Sequence, residues 1–240
     1  MTINIYYVTD GMSMMLSDQR YNYGLGDEEK YHTDGNEKLI NLKNMGWATG
    51  SGLYNFVYPF NEKLSNAEIS HTDQIIKLFK ETMNKTLEDS PQYSERMETT
   101  TVGFSYLGMN AEQTGYEFQI GFLTKQSVED GTMAIIPPDA LKIIAPEDFE
   151  GKISNLKALN KPENENSEED HFLKAIRVFL EVFDELSRDS KKASRECDIG
   201  IHICLEDGVY KFKLSGHVTD LLAKLNKDVI TDYLELVEKR

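Results

Sequence analysis

The sequence predicts an α+β fold in which two stacked antiparallel sheets are covered by helices on their outer faces. Pairs of strand-like segments joined by short turns occur near both ends of the chain and in its middle, which is typical of antiparallel hairpins. Stretches with apolar residues at helical spacing lie between these pairs. Hairpins and helices are thus interleaved along the chain. If two sheets stack face to face, each sheet keeps one outer face, which the helices can cover.

The first strands are predicted within the N-terminal fifty residues. Apolar segments at 3–8 and 12–17 flank a Thr-Asp-Gly turn, and segments at 38–42 and 45–49 follow as further strands. An Asp-Gly pair between two apolar runs indicates a hairpin. The stretch 21–35 between these pairs is polar and contains glycine, so it predicts a surface loop.

Helices are predicted at four places. A glycine turn leads into a short helix over 53–60, and an amphipathic pattern over 72–87 predicts the next helix. A longer apolar stripe at helical spacing predicts a core-facing helix over 167–190. Residues 218–237 predict one or two final helices.

Two more hairpins are predicted in the middle and C-terminal parts of the chain. The β-rich segments 99–109 and 115–124 are joined by a polar connection, and 132–136 predicts a further short strand. Segments 197–205 and 209–214 flank a Glu-Asp-Gly turn, which predicts a third hairpin.

Length and composition favour one globular domain. A chain of 240 residues with 40% apolar residues can bury a sizeable core, so we expect a single domain over residues 1–240. The tract 160–170 consists of acidic and polar residues around one proline, which predicts a flexible loop within that domain.

The charge balance and hydropathy exclude several classes of partner. The chain has 26 Lys and Arg against 41 Asp and Glu, a net charge of −15, which argues against a nucleic-acid-binding surface. No apolar run approaches the roughly 18 residues that a membrane span needs, and the N-terminus lacks the pattern of a signal peptide. We therefore expect a cytoplasmic protein with neither a nucleic acid nor a membrane as its partner.

Cysteine and histidine spacing predicts no metal site. Cys197 and Cys204 fall in one predicted strand, seven residues apart, so that they point to opposite faces and a disulfide is not expected. The five histidines form no paired ligand spacing, and no CxxC is present. His202 lies in an apolar strand and is interpreted as a hydrogen-bonded core residue. No cofactor is implied.

The N-terminus offers a candidate nucleophile. Met1 precedes Thr2, and a small second residue favours removal of the initiator methionine, which leaves a threonine with a hydroxyl and a free α-amine. An α-amine titrates near ~8, so it can accept the hydroxyl proton near neutral pH. A retained Met1 would turn this amine into an amide and remove the base.

Three residues at characteristic distances accompany Thr2. Asp18 follows sixteen residues later in a Ser-Asp-Gln-Arg run, Lys38 enters a later strand, and Gly50 precedes the first helix. This pattern resembles the proteasome-type N-terminal nucleophile (Ntn) hydrolases, including the peptidase subunit of the bacterial two-component ATP-dependent protease. The resemblance covers residues 2–52 and, more loosely, 168–214.

Carried over residue by residue, the resemblance implies that Thr2 is the nucleophile and its own amine the general base. Asp18 and Lys38 would form a buried pair beside it, since an ammonium near the hydroxyl favours the alkoxide and a carboxylate offsets the burial of the lysine. Gly50 would supply the backbone N–H that stabilises the oxyanion. We interpret Arg20 as a structural partner of an acid, Asp18 or Asp189.

A second part of the pattern follows the long predicted helix. The family has an acid there that helps orient the amine of the nucleophile, and Asp189, nine residues before Asp198, takes that position. The serine and glycine that the family has three and four residues after this acid are replaced here by Lys192 and Ala193. The proton-transfer network would therefore differ from that of the family.

The resemblance implies a four-layer αββα sandwich and a threonine-type hydrolase that cleaves peptide or small amide bonds through an acyl-enzyme on Thr2. It also implies self-association into a ring or a helical stack, and it makes an ATP-dependent unfoldase a partner to consider. The alternative is a catalytically inactive, proteasome-like structural or interaction protein. The substitutions at Lys192 and Ala193 favour this alternative.

Overall fold

The computed structural model describes residues 2–9, 11–23, 31–43, 45–110, 112–145, 168–188, 190–225 and 235–239. These residues form a mixed α+β structure with three antiparallel sheets, and the predicted α+β class is confirmed. The strands are β1 (Asn4–Thr9), β2 (Met12–Asp18), β3 (Tyr21–Tyr23), β4 (Tyr31–Thr33), β5 (Ile40–Asn41), β6 (Trp47–Ser51), β7 (Thr101–Met109), β8 (Tyr116–Thr124), β9 (Ala134–Ile135), β10 (Leu141–Ile144), β11 (Glu196–Leu205), β12 (Gly208–His217) and β13 (Glu235–Lys239). The helices are α1 (Tyr54–Asn66), α2 (Thr72–Asp89), α3 (Ser94–Glu98), α4 (Lys125–Glu129), α5 (Glu168–Ser187) and α6 (Val218–Lys224), with a 3-10 turn over Pro91–Tyr93.

The larger sheet has six strands in the order β10-β1-β2-β11-β12-β13. The central strands β1 and β2 form the predicted N-terminal hairpin, with Asn4 opposite Ser17. Strand β2 also pairs with β11, where Asp18 lies opposite Cys197. Asp18 therefore lies at the end of a strand that has neighbours on both sides.

The second large sheet has five strands in the order β5-β6-β7-β8-β9, and β3 pairs with β4 in a separate two-stranded sheet. The hairpin β7–β8 runs in unbroken register from Thr101 opposite Thr124 to Met109 opposite Tyr116. Strand β5 is short, and its two residues pair with β6. The segment before β5 carries Lys38.

Alternation of side chains along the strands divides the apolar residues among three cores. Ile5 and Tyr7 of β1 pack in one core with Phe179 of α5, whereas their neighbours Tyr6 and Val8 face residues of the five-stranded sheet. This is the two-residue period of a strand that is buried on both faces. The six-stranded sheet is thus covered by α5 on one face and by the other sheet on its second face.

The five-stranded sheet has a matching arrangement. Phe56 of α1 and Phe79 of α2 pack with Phe104 of β7 in a second core, while Trp47 of β6 and Phe122 of β8 belong to the core between the sheets. The rings of Phe56 and Phe79 lie 4.7 Å apart, close enough for a favourable edge contact.

Several predicted elements differ from the structure. The predicted loop 21–35 contains the β3–β4 hairpin, and the predicted strand 38–42 is reduced to the two residues of β5. The helix predicted over 53–60 continues to Asn66 through Pro59, because its buried face provides more stabilisation than the one backbone hydrogen bond that proline removes.

The C-terminal region needs a further correction. The helix predicted over 218–237 ends at Lys224, and Glu235–Lys239 form strand β13 along β12. Residues 168–170 of the predicted acidic loop belong to α5, and 160–167 lie outside the described residues. Among the helices that the structure describes, none is long and apolar enough to cross a bilayer.

Candidate active site

Three of the predicted site residues come together at the start of β1. Thr2 precedes β1 and is partly exposed, Asp18 ends β2 with no exposed surface, and Lys38 precedes β5 with 1% of its surface exposed. Leu39, next to Lys38, is fully buried in the core between the sheets and fixes the backbone there. Packing of the two sheets thus brings together residues that are up to 36 positions apart.

The ammonium nitrogen of Lys38 is the centre of this cluster. Its Nζ lies 3.1 Å from Oγ1 of Thr2 and 3.2 Å from Oδ1 of Asp18. It also donates to the backbone carbonyl of Arg20. One cation therefore contacts a hydroxyl, a carboxylate and a carbonyl, which satisfies its three donors.

Backbone amides hold the carboxylate of Asp18 in place. Its Oδ1 accepts a hydrogen bond from the amide of Ile3 at 2.8 Å, and its Oδ2 accepts from the amide of Arg20 at 3.0 Å and that of Ser194 at 3.4 Å. The Asp18 amide in turn donates to the carbonyl of Ile3 at 3.1 Å. These bonds compensate the buried charge of Asp18. They also fix its carboxylate next to Lys38 and Ile3.

Burial lowers the pKa of Lys38, and the nearby charge of Asp18 opposes this shift. The direction is the one expected for an ammonium group that is removed from water. A lysine with a lowered pKa exchanges protons more readily near neutral pH, and in its charged form it stabilises an alkoxide on Thr2. The geometry thus suits activation of the Thr2 hydroxyl.

A turn over residues 190–195 closes the cluster from the side of α5. Arg20 Nη1 donates to the carbonyl of Lys191 at 3.0 Å, and Asn22 Nδ2 donates to that of Lys192 at 2.8 Å. The hydroxyl of Ser190 accepts from the amides of Lys192 and Ala193, both at 3.1 Å. These bonds orient the turn that presents the Ser194 amide to the site.

Sequence reasoning misses four groups in this site, namely the carbonyl of Arg20 and the amides of Ile3, Arg20 and Ser194. All four are backbone groups, so no residue type marks them in the sequence. Arg20 is a structural partner of an acid, as interpreted, but Asp18 accepts a hydrogen bond from its backbone amide, and Asp189 lies outside the described residues. The guanidinium instead pairs with Asp34, at 2.7 Å for Nε and 2.8 Å for Nη2.

Gly50 makes no described hydrogen bond with the cluster, and the predicted position of Asp189 is not tested. Gly50 lies in β6 opposite Val102, and no hydrogen bond links it to Thr2, Asp18 or Lys38 among the described residues. A Cβ at this position would lie 3.0 Å from Cγ1 of Val57, so close packing against α1 already accounts for a glycine. Asp189 lies outside the described residues.

His202 is a core residue, as the sequence predicts. The hydrogen bond expected for its ring is absent among the described residues. Its ring lies 4.7 Å from that of Phe118, and neither ring nitrogen has a hydrogen-bond partner within the described residues. Burial, together with the charge of Lys211, lowers the pKa of His202 to about 3, so the ring is neutral at pH 7. No group of three or more His, Cys, Asp or Glu in the described segments is arranged to hold a metal ion.

Comparison with known proteins supports the fold and gives no family. No family model matches the chain, and no curated protein matches it. Among solved structures, the chain is similar to the Anbu (Gly-1) mutant from Hyphomicrobium sp. strain MC1, with a TM-score of 0.55 and 12% sequence identity. The match covers 97% of this chain and 94% of that one. The chain therefore shares its fold with this Anbu structure over nearly the whole length of both.

Proposed function

We propose that this protein is an N-terminal threonine hydrolase that cleaves peptide or amide bonds through an acyl-enzyme on Thr2, once Met1 has been removed. The observation that carries the proposal is the position of Lys38 Nζ, 3.1 Å from the Thr2 hydroxyl and 3.2 Å from the Asp18 carboxylate. A buried lysine that contacts a hydroxyl at the start of a strand matches the needs of an activated nucleophile.

The proposed reaction has two steps. In the first, the α-amine of Thr2 takes the hydroxyl proton while Oγ1 attacks the substrate carbonyl, and the leaving amine departs with that proton to leave an ester on Thr2. In the second, water attacks the ester, the acid product leaves, and the hydroxyl is restored. Lys38 stabilises the developing negative charge on Oγ1, and Asp18 fixes the lysine.

Two roles in this reaction rest on the family resemblance alone. The backbone N–H of Gly50 would stabilise the oxyanion, and Asp189 would orient the amine of Thr2. The close packing of Gly50 against Val57 keeps the backbone of β6 free of a side chain, which is compatible with the first role.

The proposal extends to architecture and assembly. We propose a single domain with a four-layer αββα sandwich, since separate cores lie between α5 and one sheet, between the two sheets, and between the second sheet and α1 with α2. The fold similarity to Anbu supports this part. Self-association into a ring or a helical stack, an ATP-dependent unfoldase as partner and a cytoplasmic location belong to the same proposal.

One observation favours the alternative of an inactive, proteasome-like structural or interaction protein. The positions where the family has serine and glycine hold Lys192 and Ala193, and the side chain of Asn22 is bound to the carbonyl of Lys192. In that case the cluster at Thr2 would only stabilise the start of β1.

The test is covalent labelling of Thr2. A chain that starts at Thr2 is treated with a peptide epoxyketone, which needs both a hydroxyl and a free amine on the same residue, and is analysed by intact mass and peptide mapping. We expect one adduct, on Thr2, and no adduct in the Thr2→Ala variant or in a chain that retains Met1. The matched control is Thr132→Ala, which removes an exposed threonine and should leave the adduct on Thr2 unchanged. No adduct on the folded Thr2 chain would contradict the proposal and leave the alternative.

A further inference from the structure

We propose that Asp198 is a positioning residue for the candidate active site and acts through the side chain of Gln19. By fixing Gln19, it holds two acceptors of the Lys38 ammonium group in place, namely the carboxylate of Asp18 and the carbonyl of Arg20. This inference rests on the proposed function, because the exact position of Lys38 matters for a reaction rate only if its ammonium group activates the nucleophile.

Gln19 lies between the two residues that supply these acceptors. Nζ of Lys38 lies 3.2 Å from Oδ1 of Asp18 and also donates to the carbonyl of Arg20. Asp18 and Arg20 come directly before and after Gln19 in the chain, so a shift of the backbone at Gln19 moves both acceptors together. The geometry around Lys38 therefore depends on how firmly Gln19 is held.

A buried carboxylate holds the side chain of Gln19. Asp198 lies in β11 with 2% of its surface exposed, and its Oδ1 accepts a hydrogen bond from Nε2 of Gln19 at 2.9 Å. The same oxygen accepts a hydrogen bond from the hydroxyl of Ser215 in β12 at 2.6 Å. Because β11 is paired with a strand on each side, Asp198 is a rigid anchor for the glutamine.

The backbone of Gln19 is tied to the segment that carries Lys38. The amide of Gln19 donates to the carbonyl of Glu196 at 3.0 Å, and its carbonyl accepts from the amide of Asn36 at 3.1 Å. Asn36 lies two residues before Lys38. Gln19 is thus fixed to β11 by its backbone and its side chain, and from there it supports the segment before β5.

A second and weaker link connects Asp198 with the neighbour of Lys38. Lys213 of β12 forms an ion pair with Glu37, and its Nζ lies 3.9 Å from Oδ1 of Asp198. This distance exceeds that of a hydrogen bond, so the link is electrostatic only. One carboxylate therefore interacts with both segments of the candidate site, and the bond to Gln19 is the stronger of the two connections.

The surroundings of Asp198 favour a role in the site over a role in stability alone. Its Oδ2 is buried and accepts no hydrogen bond from the described residues. The carboxylate of Asp18, by contrast, accepts hydrogen bonds from three backbone amides and from Lys38. A buried carboxylate with incomplete compensation lowers the free energy of unfolding, and its presence is explained if the bond to Gln19 serves the reaction.

The experiment measures how a peptide epoxyketone labels Thr2 in the chain that starts at this residue. Three quantities are compared among variants: the maximal rate constant, the reagent concentration at half-saturation and the final extent of labelling. We expect Asp198→Ala and Gln19→Ala each to lower the rate constant by about 10-fold or more, because a displacement of about 1 Å at a reacting group costs this much. The other two quantities should stay within about twofold, since reagent binding and the folded fraction do not depend on this bond.

Two further variants separate positioning from a structural role. Asp198→Asn keeps an oxygen that can accept from Gln19, so its rate constant should stay within about threefold of that of the unmodified chain. The matched control is Ser215→Ala, which removes the other hydrogen bond to the same oxygen and should leave the rate constant within about twofold. In the double variant of Asp198→Ala and Gln19→Ala, the two losses should not add, because both remove one bond.

The inference is overturned by a rate constant that Gln19→Ala leaves unchanged or by equal losses in Gln19→Ala and Ser215→Ala. Additive losses in the double variant, or a loss in Asp198→Asn as large as in Asp198→Ala, would overturn it as well. Because Gln19 is partly exposed, Gln19→Ala gives a result even if Asp198→Ala does not fold. No labelling of the unmodified chain would contradict the proposed function itself, and the inference with it.

Discussion

The protein contains two almost fully buried lysines, and they differ in what their ammonium groups contact. Lys38 and Lys211 each have 1% of their surface exposed. Lys38 donates to a hydroxyl, a carboxylate and a carbonyl next to the start of β1. Lys211, in β12, donates to Oδ1 of Asn41 at 2.8 Å and to the carbonyls of Leu42 and Lys43 at 3.4 and 3.1 Å.

The comparison shows that burial of a lysine is not in itself a mark of chemistry. Both lysines belong to or contact the short segment 38–43. Lys38 is its first residue, and Lys211 donates to residues 41–43 at its end. Lys211 contacts neutral acceptors of a turn, which suits a structural role. Lys38 contacts the hydroxyl of a partly exposed residue, as the proposed reaction at Thr2 requires.

The largest effect is expected for Lys38→Met. Methionine fills a similar volume, and the carboxylate of Asp18 keeps its backbone donors, so the protein should still fold. Without the ammonium group, labelling of Thr2 by an epoxyketone should slow by about 10²- to 10⁴-fold. The rate is measured by intact mass spectrometry, with the exposed Lys43→Met of the same segment as control. Labelling of Lys38→Met within threefold of the unmodified chain would show that Lys38 does not activate the hydroxyl.

The next effect concerns Lys211→Met and is an effect on stability. The substitution leaves the buried carbonyl of Leu42 and the other acceptors of the turn without this donor, so the free energy of unfolding should fall by about 2–4 kcal/mol. Urea denaturation followed by circular dichroism measures it. The control is Lys77→Met on α2, whose ion pair with Glu81 lies on the surface and whose loss should cost at most about 1 kcal/mol. Equal losses for the two variants would remove the distinction between them.

The smallest effect depends on pH and involves His202, which lies opposite Lys211 in the β11–β12 pair. Its pKa of about 3 in the folded protein lies below the 6.5 of a free histidine. Below pH 6.5 the unfolded chain therefore binds a proton on this histidine that the folded protein does not bind. The contribution of the neutral ring to the free energy of unfolding is complete above pH 6.5 and is lost as the pH falls towards 3.

Because the unfolded chain takes up this proton, the free energy of unfolding should fall by about 2 kcal/mol between pH 7.5 and 5.0. The loss amounts to roughly 1.4 kcal/mol for each pH unit below 6.5. Urea denaturation at both pH values measures this loss. In His202→Gln the free energy of unfolding should fall by about 2 kcal/mol less than in the parent over the same pH range, whatever the stability of the variant at pH 7.5. The exposed His32→Gln serves as control. An unchanged pH dependence in His202→Gln would mean that the ring is not held neutral.

Much of the fold follows from sequence periodicity. The hairpins β1–β2, β7–β8 and β11–β12 and the helix α2 occur where alternation, helical spacing and Asp-Gly turns predict them. The short strands β3, β4, β10 and β13 are missed because they contain three to five residues or depend on a distant partner. Strand β13, for example, is predicted as helix from its local pattern, and its pairing with β12 overrides that preference.

The candidate site divides in the same way. Thr2, Asp18 and Lys38 are predicted from the resemblance of their spacing to that of a known family, and the structure places Lys38 within hydrogen-bonding distance of both other side chains. The catalytic roles of these residues, and those of Gly50 and Asp189, stay predictions. The ring contacts of Tyr54 with Tyr21 and Tyr58 carry no sequence signal, since tyrosines in a predicted loop and in a predicted helix do not indicate that their rings meet.

The sequence by itself determines the α+β class and most of the elements, because local spacing sets which faces of strands and helices are apolar. It points to Thr2, Asp18 and Lys38 through the resemblance of their spacing to that of the proteasome-type hydrolases. Only the tertiary structure decides which of two equally buried lysines contacts the hydroxyl of Thr2. The reason is physical: the partners of Lys38 and of Lys211 lie on other strands, and side chains and backbone groups far apart in the chain come into hydrogen-bonding distance only when the two sheets pack together.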